Sequence, residues 1–177
     1  MRLAKSPRDE YLTTKFGSPE KYKGIAGRVA QAAASEGLTY AVDKMRRQPN
    51  TLDCHRLILW AGAIGKAAEM KQRLMDLYFT DGADLSDLEV LVAAAASVGL
   101  DAADVRQKLV SDLDIDKVEA AASAAKEAGI DGVPTYILGG VAAVSGAQAP
   151  EVLANAIEQI AVNREQFIAE QRRAANA

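Results

Sequence analysis

The side chains best suited to covalent or proton-transfer chemistry stand next to each other: Cys54, the one cysteine, and His55, the one histidine. A thiol and an imidazole can form an activated nucleophile only if they come within hydrogen-bond reach. Consecutive residues on a helix project about 100° apart, so this adjacency is the wrong spacing. Cys54 falls on a stripe with Ile58 and Ala61, which reads as a buried, inert thiol. His55, whose unperturbed pKa lies near neutrality, has no acid or other nucleophile matched to it. With Arg56 it reads as part of a cleft wall. A single cysteine excludes an intrachain disulfide and a Cys-x-x-Cys redox centre. One cysteine with one histidine does not make a zinc site. No catalytic residue and no metal ligand is assigned.

Three other segments stand out by residue type and position. Val133, Pro134 and Thr135 follow Gly129-Ile130-Asp131-Gly132 and run straight into an apolar stretch. Asn50 and Thr51 precede a helix from Leu52 and are natural caps for it. Ser145-Gly146-Ala147-Gln148 follows the second of two short apolar runs.

The elements that position these residues carry their own signals. Ser18-Pro19-Glu20 reads as N-cap, first helical position and first-turn acid, and that helix stops at Gly37. Leu38 to Val42 reads as short and extended. After the turn at Gln48-Pro49-Asn50-Thr51, a helix is expected over Leu52–Ala63. Beyond Gly65 another carries Met70, Leu74, Leu77 and Tyr78, and Phe79-Thr80-Asp81-Gly82 closes it. Ser86-Asp87-Leu88-Glu89 matches a capping box, Asp101 caps a short helix, and a longer one runs from near Asp114 to Gly129. The period then changes. Pro134–Leu138 reads as a buried strand, Gly139-Gly140 as a tight hairpin turn, and Val141–Val144 as its partner. A last helix starts near Pro150, and the tail after Ile168 is expected to fray.

At 177 residues the chain can bury one substantial core, and 49% hydrophobic but 5% aromatic composition makes that core mainly Ala, Leu, Val and Ile. A net charge of −3 with basic residues in pairs (Arg46-Arg47, Arg172-Arg173) argues against nucleic acid. No apolar run approaches a membrane span or a signal peptide, so a cytoplasmic location without membrane attachment is expected. Two strands are too few for an independent sheet, and their open edges invite another chain, a homodimer being one such pairing.

Several segments, in order, resemble the DsbA superfamily and within it the FrnE-like branch. They are Tyr11 to Glu20 (YLTTKFGSPE), Pro49 to Ile58 (PNTLDCHRLI), Tyr78-Phe79, Gly129 to Tyr136 (GIDGVPTY) and Ser145 to Gln148 (SGAQ). The resemblance implies an α+β, predominantly helical, thioredoxin-like fold of DsbA type. Residues 1–17 would lead in, 18–128 would form a helical insertion domain, and 129–177 would supply the C-terminal ββα part. Members of the family begin with a strand, a cysteine-bearing loop, a helix and a second strand ahead of the Tyr11 segment. A βαβ unit takes about 30 residues or more, so the first βαβ with its Cys-x-x-Cys is expected to be missing from this chain.

The resemblance also implies a cis Val133–Pro134 peptide. It would turn the Val133 N–H and C=O toward a groove for a peptide or thiol substrate. In the related kappa-class glutathione transferases and 2-hydroxychromene-2-carboxylate isomerases a similar Asn helps hold glutathione, which leaves Asn50 and Thr51 as caps, ligand contacts or both. Ser145 to Gln148 occupies the place where those relatives contact the γ-glutamyl end, though the acid typical of them is absent here. The expected substrate-binding set is therefore Val133, Pro134, Thr135, Asn50, Thr51, Ala147 and Gln148, with no resident cofactor and glutathione as an alternative ligand. The leading expectation is a thiol-disulfide oxidoreductase homologue without its redox cysteines. The alternatives are a non-enzymatic helical binding or dimerisation module, and a glutathione-dependent isomerase or transferase.

Overall fold

The computed structural model describes residues 6–175, which fall into two compact units, 1–120 and 121–177. The first opens with α1 (Arg8–Phe16) and α2 (Pro19–Ser35). Ser18 caps α2 as its sequence suggests, accepting from the Lys21 N–H at 3.3 Å. No strand forms over Leu38–Val42: residues 38–41 have no regular secondary structure, and a turn follows at 42–44. Two very short strands, β1 (Ser6–Pro7) and β2 (Arg47–Gln48), pair antiparallel. Residue pairs this brief carry no alternation, so nothing in the sequence announced them.

The core lies where α3 (Leu52–Gly62), α4 (Ala67–Met75), α5 (Leu88–Ser97) and α6 (Ala102–Val110) meet. Leu57, Ala61, Met70, Ala95 and Val105 are fully enclosed there. Small alanines on α5 let its neighbours come close while costing little side-chain entropy. The helix of Met70 and Leu74 does not continue as one piece: it widens into a π-helical turn at Asp76–Asp81. That turn brings the Tyr78 hydroxyl to the Arg47 carbonyl at 3.2 Å. Gly82 closes it at φ 71°, where a Cβ would come within 2.8 Å of the Lys44 backbone carbon. Only glycine fits both demands.

The capping box at Ser86 does not form. Asp84 draws both the Ser86 N–H (2.9 Å) and its hydroxyl, so Ser86 faces backwards. Asp87 becomes the N-cap of α5, accepting from the Glu89 N–H at 2.8 Å, and Glu89 pairs with Arg106 instead of reaching back to the cap. Asp101 caps α6 as expected, accepting from the Asp104 N–H at 2.7 Å.

α7 (Ile115–Glu127) runs across the division between the units. In the second unit, β3 (Thr135–Leu138) and β4 (Ala142–Ser145) form an antiparallel hairpin in which Tyr136 lies opposite Val144. Gly139 and Gly140, at φ 59° and 73°, supply the left-handed turn whose twist suits a hairpin. β3 is not the buried strand its composition suggests: Ile137 is 63% exposed and Tyr136 39%. Apolar content fixes a preference for burial, but a sheet of two strands leaves each with an open edge. α8 (Pro150–Ala175), kinked at Asn163, packs on the hairpin through Ile160 beside Gly139. Among the described residues no helix is long and apolar enough to cross a membrane.

Candidate functional site

The loop after α7 is built to deliver Val133 to the surface. Gly129 at φ 78° ends the helix, and the Ile130 N–H returns to the Ala125 carbonyl at 3.0 Å, so the chain leaves the helix axis sharply. The Val133–Pro134 peptide is cis. Thr135 donates its hydroxyl to the Gly132 carbonyl at 2.8 Å, closing the loop on itself. The Gly146 N–H donates to the Pro134 carbonyl at 2.8 Å and so draws the Ser145–Gln148 turn beside the proline. Gln148 folds back, its side-chain amide donating to the Ser145 carbonyl at 2.8 Å. Five predicted residues, Val133, Pro134, Thr135, Ala147 and Gln148, thus belong to one surface.

Val133 stands 90% exposed at its tip. Exposed main-chain donors and acceptors beside a short strand can hold an extended polypeptide backbone. Only Asp131 carries a charge between Ala128 and Pro150, so this surface offers contact and hydrogen bonds rather than proton transfer.

Asn50 and Thr51 belong to the first unit. Asn50 accepts from the Leu52 N–H at 3.0 Å, a short local turn ahead of α3. The Thr51 side chain makes no capping bond; its carbonyl accepts the His55 N–H at 3.0 Å. Asn50 therefore does the local work expected of the pair.

Cys54 is buried at 5% exposure. Burial, with the neighbouring Asp53 charge second, pushes its thiol up to about 12. A thiol held protonated through the neutral range is no nucleophile. His55, about 100° round the helix from Cys54, is exposed. Among the described residues no three His, Cys, Asp or Glu side chains cluster as a metal site would require.

Arg56 corrects the cleft-wall expectation: it is fully buried and structural. Its Nε donates to the Leu113 carbonyl at 2.8 Å. One terminal nitrogen reaches the Asp53 carboxylate at 2.7 Å and the Leu109 carbonyl at 3.4 Å. The other reaches the carbonyls of Lys108 at 2.6 Å and Ser111 at 2.9 Å. The five donors of a guanidinium thus meet five acceptors. The guanidinium also lies 4.9 Å from the centre of the Trp60 ring, whose N–H donates to Asp114 at 2.9 Å. Asp114 holds a left-handed φ of 61°, and Lys117 pairs with it at 2.5 Å. The one signal in the sequence was an Asp53-x-x-Arg56-x-x-x-Trp60 spacing on an otherwise apolar helix. Beside Trp60, a shallow hollow of about 280 Å³ opens between Ile64, Leu100, Asp101 and Lys108.

Comparison with known families places this geometry. Residues 2–158 match the family model of the DSBA-like thioredoxin domain. The chain belongs to the DsbA-like thioredoxin family. A crystal structure of a probable DsbA oxidoreductase from Streptomyces coelicolor superposes with a TM-score of 0.79 at 32% identity, covering 90% of this chain and 69% of that one. No curated protein matches the chain. A DsbA-like, thioredoxin-type fold that is mainly helical agrees with the architecture expected from the sequence. Membership relates the chain to thiol-disulfide oxidoreductases, yet its only thiol is the buried Cys54.

Proposed function

We propose that this chain serves as the substrate-binding part of a FrnE-like, DsbA-type protein and performs no dithiol exchange of its own. Val133, Pro134 and Thr135 hold an extended peptide or thiol substrate through main-chain groups, and the Ala147–Gln148 turn borders it. The carrying observation is the contrast within the chain. The loop before β3 is fully formed and presents Val133 at 90% exposure, while the one thiol is enclosed and pushed up to about 12. Disulfide exchange proceeds by thiolate attack, so a chain with this thiol alone has the recognition surface without the nucleophile.

The test is reduction of insulin disulfides by dithiothreitol in the presence of the full chain. Turnover should equal the chain-free background for the native protein and for Cys54→Ser alike. Turnover above background in either would overturn the reading.

A further inference from the structure

The hollow beside Trp60 lies wholly within the first unit, and three helix ends meet around it. Ala63 is the C-cap of α3, Gly99 and Leu100 follow the C-cap of α5, and Asp101 is the N-cap of α6. Its floor is apolar: Trp60, Ile64 and Leu100 line it, with Ile64 55% exposed. Gly99 adds no bulk, and a Cβ placed there would meet nothing within 4 Å. A volume of about 280 Å³ is small for a ligand pocket. One ring or a short branched chain fits it; a drug-sized molecule does not.

The charges around the rim set the sign of what can enter. Helix C-termini carry partial negative charge, and two of the three ends are C-termini. The positive end of α6 is faced by two carboxylates, Asp101 and Asp104. Lys108, the cation on the rim, is held by Asp104 at 2.7 Å. Asp101 accepts from the Asp104 N–H at 2.7 Å and has no ionic partner among the described residues. The uncompensated group at the rim is therefore a carboxylate. The Trp60 ring is already served: the Arg56 guanidinium and the Lys108 ammonium lie 4.9 and 5.6 Å from its centre. A further cation is left to Asp101, and the ring offers apolar contact.

We propose that this hollow binds a small primary amine carried on an apolar body. The ammonium donates to the Asp101 carboxylate, and the body rests on Trp60, Ile64 and Leu100. An acid of the same shape would set its carboxylate against Asp101 and Asp104, and an uncharged analogue would forgo the ion pair. A ligand of roughly nine non-hydrogen atoms should bind at about the millimolar level.

Trp60 is the only tryptophan, so its fluorescence reports on the hollow directly. The full chain would be titrated at neutral pH and fixed ionic strength with phenethylamine, and with phenethyl alcohol and 3-phenylpropionate as its neutral and anionic counterparts. The amine should give a saturable change. The alcohol should bind about three- to five-fold more weakly, the scale of one exposed ion pair, and the acid should give no saturable change. Asp101→Asn removes the charge but keeps a capping side chain for α6, so amine and alcohol should then bind alike. Ala63→Phe fills the hollow and should abolish binding of both. If far-UV circular dichroism shows that variant misfolded, Ala63→Leu takes the same space and must still weaken both. No saturable change with phenethylamine overturns the proposal. So does the alcohol or the acid binding as tightly as the amine, an Asp101→Asn variant that keeps the preference for the amine, or a folded Ala63 variant that binds as the native chain does.

Discussion

Replacing Arg56 by Met removes five hydrogen-bond donors from a site with no exposed side-chain surface while keeping similar bulk. Four acceptors are backbone carbonyls between Lys108 and Leu113, and the fifth is the Asp53 carboxylate, whose side chain is 29% exposed. Each buried polar group left without a partner costs about 1–3 kcal/mol. Water can reach Asp53 and the rim of the turn, so the five losses do not add in full. Removing one partner of a buried ion pair typically costs about 3–5 kcal/mol, and that is the expected loss here. It is a large share of the roughly 5–15 kcal/mol that holds a domain together. Urea unfolding followed by far-UV circular dichroism measures it. Amide hydrogen exchange should show protection lost first at residues 108–118, the turn and the start of α7. Arg56→Lys should recover part of the loss, because an ammonium has three donors and no fork geometry. A destabilisation below about 1 kcal/mol for Arg56→Met would refute the reasoning, since the carbonyls would then be finding water without penalty.

Other perturbations follow from single contacts. Gly82→Ala should cost about 1–3 kcal/mol in the same assay, from left-handed strain and the approach to the Lys44 backbone. Asp101→Ala should lose about 1 kcal/mol by uncapping α6. The Cys54 thiol titrates higher folded than unfolded, so the unfolded chain ionises first and stability falls as pH rises from the ordinary 9.0 toward about 12. Cys54→Ala should flatten that alkaline decline by up to about 1.4 kcal/mol per pH unit, read from urea midpoints. Hydrogen bonds from Lys117 first and Trp60 second hold the Asp114 carboxyl below its ordinary 3.8. A depressed carboxyl stabilises above its unfolded value and ceases to as pH falls through the folded one. Asp114→Asn tolerates the left-handed backbone, so its stability deficit should be full above pH 3.8 and vanish in stronger acid.

Much of the fold was legible because its signals are local. Ser18 before Pro19, Asp101 before α6, and Gly139-Gly140 between apolar runs each act within four residues. The capping box at Ser86 failed because a second local acid, Asp84, competes for the same hydroxyl, a contest that spacing alone does not decide. Arg56 was misread because four of its five acceptors lie more than fifty positions away and are backbone carbonyls, which every sequence carries. The exposure of β3 was equally hidden, since composition reports what a strand would bury and not whether a cover is present. Of the site, the Val133–Thr135 loop and the Ser145–Gln148 turn were picked out through their resemblance to family motifs. The Pro134–Gly146 bond that joins them depends on strand register.

The claim that Val133–Pro134–Thr135 binds extended polypeptide is tested most directly by amide chemical-shift mapping. The full chain would be titrated with S-carboxymethylated insulin B chain, an unfolded probe that cannot exchange disulfides. Saturable shifts at Val133, Thr135, Ile137 and Gly146 to Gln148, with the amides of α4 and α5 unmoved, are the predicted result. No saturable change at those residues, or changes centred on the Trp60 hollow instead, would contradict the account.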